Sequence, residues 1–239
     1  ATDDGALQEW TYSTGKISFV FPKSATYPVA NPLGVGDLTY TTNGKFLVSA
    51  DKSGYSRVWN RDPLDPANKT STGARQASYV RYIGSSSEYG LTKAQASPNG
   101  QLVALGNEAG QVEIWDIVSF RLLSRTPYGG GSVVGISFTS DSQNFVSATS
   151  GGQIRYYSSN SGSQISSVRD YNAGLISVSV DPTQSTATNL GILVGLPDGT
   201  VEQIRTAALP VSQSLPGQGA LPTVKFVANL PGMGATYNT

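Results

Sequence analysis

Arg75, Tyr79, Arg81, Tyr82 and Tyr89 crowd the most individual stretch of this chain, residues 60 to 90. Tyr and Arg side chains gain much contact area for little lost freedom, so this set points to partner recognition rather than bond-making. The competing reading is a solvated loop that enters a strand, with Tyr79 and Tyr82 packing on a neighbouring sheet. Catalytic material is thin elsewhere. The chain has no histidine and no cysteine, so the usual nucleophile–base triads, thiol chemistry and zinc sites lack their side chains. Asp3-Asp4 is a carboxylate pair, but it runs into Gly5 and reads as a turn. No Asp-x-Asp-x-Asp-Gly loop offers calcium a cage. Gly129-Gly130-Gly131-Ser132 lacks the lysine of a phosphate loop and reads as a link between strands. Asn68-Lys69-Thr70 is a glycosylation sequon, meaningful where asparagines are modified. The expectation is no cofactor, no metal and no catalytic residue.

The elements that must carry these residues are announced by a repeat. Gly5, Gly54, Gly110, Gly152 and Gly199 each stand five residues before Trp10, Trp59, Trp115, Tyr157 and Ile204, at intervals of 42 to 56 residues. Periods of that size signal propeller blades or solenoid units. Between glycine and anchor the polarity alternates, through Leu7, Val112, Ile154 or Val201 and then Gln8, Glu113, Arg155 or Glu202, as it does in strands. Seven residues before the glycine stand Leu47, Val103, Phe145 and Ile192; four before it stand the small Ala50, Gly106, Ala148 and Gly195. Further upstream lie the alternating pairs Leu38/Tyr40, Ala94/Ala96, Ile136/Phe138 and Val178/Val180, followed by turns such as Asn43-Gly44 and Asn99-Gly100. A more variable fourth strand follows each anchor. The glycine is read as a turn residue with positive φ.

Residues 110–116, Gly-Gln-Val-Glu-Ile-Trp-Asp, resemble the strand ending of WD-repeat β-propellers, as do Asp4-Gly5-Ala6-Leu7-Gln8-Glu9-Trp10. Ser97-Pro98-Asn99-Gly100 is similar to that family's turn between its first two strands. The signature dipeptide survives only as Trp115-Asp116, and the family's Gly-His pair is absent. The resemblance implies a ring of four-stranded blades with the anchors packed in its core.

Gly5 has only four residues before it. When the sequence is wrapped end to start, the interval from Gly199 to Gly5 becomes 45 residues, Tyr237 falls in the apolar column and Ala1 in the small one, and Val224 and Phe226 supply the innermost pair. The expected fold is therefore all-β: a five-bladed β-propeller of four-stranded antiparallel blades, one domain over residues 1–239, with one blade shared by strands in 5–21 and 223–239. Closing that blade removes two exposed strand edges.

Charge excludes further classes. Sixteen basic and sixteen acidic residues give a net charge of zero, and charged residues make up 13%, which speaks against a nucleic-acid platform or a polybasic membrane anchor. No apolar run reaches the roughly 20 residues that cross a bilayer. Low charge, absent cysteine and many small polar residues lean towards an extracellular or cell-surface protein. The function expected is a non-catalytic interaction or structural scaffold with a protein partner or self-association, including head-to-tail assembly through terminal strands. A carbohydrate-binding propeller, with a glycan site per blade, is the alternative.

Overall fold

The computed structural model describes residues 7–21, 34–62, 64–68, 75–76, 78–84, 88–181 and 190–206. Among them are eighteen strands, a single 3-10 turn at Pro66–Asn68 and no α-helix. Strands β1 (Leu7–Thr11) and β2 (Lys16–Phe21) form the first hairpin. β3 (Val35–Tyr40), β4 (Phe46–Asp51) and β5 (Ser56–Asn60) follow. The short β6 (Arg75–Gln76) returns to pair in parallel with β2, and β7 (Ser78–Ile83) completes the second sheet against β5. The third sheet is β8 (Leu91–Ala96), β9 (Leu102–Asn107), β10 (Val112–Asp116) and β11 (Arg121–Arg125). The fourth is β12 (Val133–Phe138), β13 (Asn144–Thr149), β14 (Gln153–Ser158) and β15 (Gln164–Asp170). β16 (Ser177–Val180), β17 (Leu190–Gly195) and β18 (Val201–Thr206) make the fifth. The fold is thus all-β, a succession of up-and-down antiparallel sheets of three or four strands.

The sequence columns meet as cross-strand partners. Leu47 lies opposite Trp59, Val103 opposite Trp115, Phe145 opposite Tyr157 and Ile192 opposite Ile204. The turn that fixes each register holds Gly54, Gly110, Gly152 or Gly199 at φ between 83° and 88°, the left-handed region that a Cβ disfavours. At Gly110 a side chain is also excluded by space, because its Cβ would collide with the Gly129 carbonyl. Gly129–Gly131 is indeed a link, joining β11 to β12. Just before the anchors Trp10, Trp59, Trp115 and Tyr157 the pairing to the last strand slips by a β-bulge, which raises local twist.

Sheets pack face on face through four apolar layers. Leu7, Phe19 and Phe21 of the first hairpin meet Leu47 and Trp59. Val48, Val58 and Ile83 meet Leu91, Ala94 and Leu105. Ala104, Val112 and Ile114 meet Ile136, Phe138 and Phe145. Val146, Ile154 and Tyr156 meet Val180, Ile192 and Ile204. This sandwiching explains the composition of β4, β9 and β13, Phe-Leu-Val-Ser-Ala-Asp, Leu-Val-Ala-Leu-Gly-Asn and Asn-Phe-Val-Ser-Ala-Thr. After its first residue each is buried at every position, so apolar and small residues run on where a one-sided strand would alternate. The last strands β11 and β15 are largely exposed and correspondingly polar.

Three turns share one construction. Thr41, Ser97 and Thr139 each donate their hydroxyl to Asn43, Asn99 or Asp141, at 2.6–2.7 Å, and accept the amide of Phe46, Leu102 or Asn144. They are also bonded in series: Thr42 Oγ1 donates to the Ser97 carbonyl at 2.9 Å, and the Asn99 amide donates to Ser142 Oγ at 3.1 Å.

Trp10 departs from its counterparts. Trp59, Tyr157 and Ile204 are 4–6% exposed, whereas Trp10 is 57% exposed. β1 pairs with β2 on one edge, and among the described residues no strand occupies the edge that β4, β13 and β17 cover for the other anchors. The segment expected there, residues 223–239, lies outside the described residues.

Candidate ligand-binding face

The first strands of four consecutive sheets, β3, β8, β12 and β16, stand side by side and pin one another through side chains. The Ala94 and Ala96 amides donate to Asp37 Oδ2 and Thr39 Oγ1, at 3.2 and 3.0 Å, and the Val180 amide donates to Ser137 Oγ at 2.9 Å. Between these strands lies a cavity of about 190 Å³ whose walls include Asp37, Lys93, Gln95, Gly135, Ser177 and Val178. Asp37, Lys93, Gly135 and Ser177 occupy one column of the repeat, immediately before the alternating pairs. Asp37 is held in place, since its Oδ1 also accepts the Leu38 amide at 2.9 Å. Lys93 Nζ stands 3.8 Å from Asp37 Oδ2, and both side chains are about a third exposed. Gly135 breaks the column for a steric reason: a Cβ there would stand 2.8 Å from the Val178 nitrogen.

The connections that lead into the first strands carry a tyrosine each. Tyr89 precedes β8, Tyr128 precedes β12 and Tyr171 precedes β16. Tyr89 and Tyr128 face each other with ring centroids 5.7 Å apart, and Tyr128 is 55% exposed. Tyr171 is a clamp. Its hydroxyl donates to Glu202 Oε2 at 2.8 Å and the Arg169 guanidinium lies 4.7 Å above its ring. Burial, then the bond to Glu202, pushes its phenol up to about 12.

The five contact residues expected from sequence are divided rather than gathered. Arg75 sits on β6 opposite Phe19, on the first sheet. Tyr79, Arg81 and Tyr82 lie on β7, the outer strand of the second sheet, opposite Trp59, Val58 and Arg57. Arg81 is exposed, with its guanidinium 5.8 Å over Phe120 of the next sheet. Tyr82 is half-buried under Arg57, at 5.4 Å, and meets Tyr55 edge-on at 6.1 Å. Arg57 in turn donates to the wholly buried Asp51 at 2.6 Å. Tyr89 belongs to the connection that leads into β8, where it meets Tyr128. Thus three of the five lie on an outer strand, and Tyr82 spends part of its surface on its own sheet. Asn68 of the sequon is buried, its amide donating to the Asp62 carbonyl at 2.9 Å, so it is closed to a glycosylating enzyme in the folded state.

Sequence reasoning missed Asp37, Lys93 and Tyr128. The signal was present as the column preceding Leu38, Ala94, Ile136 and Val178, but only strand adjacency turns that column into a wall. Among the described residues no three acidic side chains cluster as a metal site would need, and no helix is long and apolar enough to cross a membrane.

No protein-family model matches the chain, and no curated protein does. Among solved structures it is similar to the crystal structure of the computationally designed Ika8 protein, with a TM-score of 0.62 and 19% sequence identity. The similarity covers 84% of this chain and 53% of that one. The chain therefore spans about half the length of the designed protein, and the likeness concerns the fold alone.

Proposed function

We propose that the chain is a five-bladed, WD-repeat-like β-propeller that works as a non-catalytic interaction scaffold, secreted or displayed at a cell surface, with a protein as its partner. The observation that carries this reading is the outer strand β7. It presents Val80 and Arg81 to solvent beside Tyr55 and Tyr82, on a strand pinned by hydrogen bonds rather than on a loop. Aromatic and arginine contacts that are already ordered bind without a large further loss of freedom. A photocrosslinker placed at position 80, beside Arg81, and applied in the native specimen tests it. A single protein adduct, lost on Arg81→Glu, is the expected result; uniform background labelling would discard the reading.

The fivefold closure is supported by chain length and register. From the end of β10 to the end of β13 the chain uses 33 residues, and 33 follow β18. That suffices for a fourth strand on the fifth sheet and two strands against β1. In this register Thr239 faces Gln8. Because the chain lacks cysteine, the pair Gln8→Cys and Thr239→Cys reports it directly. An intramolecular disulfide indicates closure within one molecule, and a ladder of covalent oligomers indicates head-to-tail strand exchange. No disulfide under oxidising conditions removes the shared blade.

The alternative of one glycan site per blade finds less support, since the tyrosines of successive connections are used differently: Tyr128 is open and Tyr171 is clamped.

A further inference from the structure

We infer that the cavity between β3, β8, β12 and β16 is a binding site for one small neutral polyhydroxylated ligand, a single sugar unit. The inference rests on the binding-scaffold reading and assigns that scaffold one site on the line where its sheets converge. The size is set by the cavity, about 190 Å³, which is below the roughly 300 Å³ at which drug-sized sites begin. The polarity is set by its walls. Asp37 accepts, Lys93 donates, and Gln95 and Ser177 can do both. A carboxylate or phosphate bound there would confront Asp37, and a cation would confront Lys93. An apolar guest would strip water from both without replacing its hydrogen bonds. A hydroxyl both donates to the carboxylate and accepts from the ammonium, so a ring of hydroxyls satisfies the two at once. The position of Asp37 is fixed beforehand by the Leu38 and Ala94 amides, so little order has to be gained on binding.

Saturation-transfer NMR on the full chain tests this with glucose, galactose, mannose, fucose and N-acetylglucosamine. Acetate, inorganic phosphate and glycine serve as charged comparators. At least one sugar is expected to bind, while the comparators do not. Asp37→Asn and Lys93→Met should each weaken binding about tenfold, the scale of a hydrogen bond to a charged group, and Gln95→Trp should abolish it by filling the space. Amide shift changes in the unmutated protein at Lys93, Gly135 and Val178 locate the ligand whether or not a variant folds. No sugar bound, preferential binding of a charged comparator, or shifts confined to other residues overturns the site. A sugar bound but chemically converted would keep the site and overturn the non-catalytic reading; no sugar bound alongside a specific adduct at position 80 would do the reverse.

Discussion

Arg61 and Glu9 join the first two sheets by a two-pronged bond. Arg61 Nε donates to Glu9 Oε2 at 2.7 Å and Nη2 to Oε1 at 2.8 Å. The guanidinium lies between the rings of Phe19, at 5.3 Å, and Tyr40, at 5.1 Å, and its remaining nitrogen donates to the Gly44 carbonyl. Ser18 and Tyr40 hydroxyls complete the carboxylate's partners. The planar fork meets the carboxylate on two parallel lines, an arrangement lysine would not reproduce.

Arg61→Met should cost about 1–3 kcal/mol of unfolding free energy, as expected for a partly buried charge-assisted pair, read by urea denaturation. The same variant should alter the acid limb of stability. Burial raises the Glu9 carboxyl, but hydrogen bonds from Arg61 and Ser18 outweigh it and leave the group below its ordinary value. Its contribution is therefore complete above the unfolded carboxylate pKa, about 4.3, and is lost as pH falls through the lower folded value. Stability measured from neutral to acid pH should fall less steeply in Arg61→Met than in the parent.

Alkaline titration should find Tyr40 and Tyr171 among the late tyrosines of the described residues, together with Tyr156 and Tyr157, whose phenols burial also raises. Burial, then the Glu9 charge, pushes Tyr40 up to about 12, the same value as Tyr171. Both phenols are held neutral in the fold, so their contribution is full below the unfolded value of about 10 and is lost as pH rises towards about 12. Ultraviolet difference absorbance of Tyr40→Phe and Tyr171→Phe should each lack part of the last-titrating step.

Phe145→Ala should be among the costliest single changes, about 3–5 kcal/mol. The ring is wholly buried, stacks on Tyr157 at 5.4 Å and meets Phe138 at 5.9 Å. Leu123→Ala, on the exposed strand β11, should stay within about 0.5 kcal/mol. Thermal melts of the two variants give the comparison.

The recurring turn glycines should not be equally sensitive. Gly110 and Gly199 share φ 83°, but among the described residues a Cβ at Gly199 meets nothing within 4 Å, whereas at Gly110 it meets backbone. Gly199→Ala should cost about 1–2 kcal/mol, the conformational penalty alone. Gly110→Ala adds a collision with the Gly129 carbonyl and should cost clearly more in the same urea assay.

The repeat was legible because its register is local. A glycine turn fixes which residues oppose each other, so columns read at fixed distances from it, Leu47 with Trp59 and Phe145 with Tyr157, fall opposite one another. The bulge before each anchor was not legible, since it alters pairing without altering spacing. Nor was the Arg61–Glu9 clamp, whose partners are 52 residues apart. The cavity belongs to the same class: Asp37, Lys93 and Ser177 become neighbours only when separate sheets align. The column of Trp10 predicts a core position, yet the side chain is 57% exposed, because a column gives the anchor's place on its own strand and not what packs over it. Asn68 heads a sequon legible in three letters, whereas its burial depends on the fold of the turn around Asp62.

The turn at residues 97–100 gives its Ser97 carbonyl to one neighbouring turn and takes the Ser142 hydroxyl of the other through the Asn99 amide. Such a part has a socket on one flank and a plug on the other. Gene duplication within this chain would therefore yield a module that fits only in the original head-to-tail order, and recombination that inverted or truncated one would leave both flanking turns with unanswered polar groups.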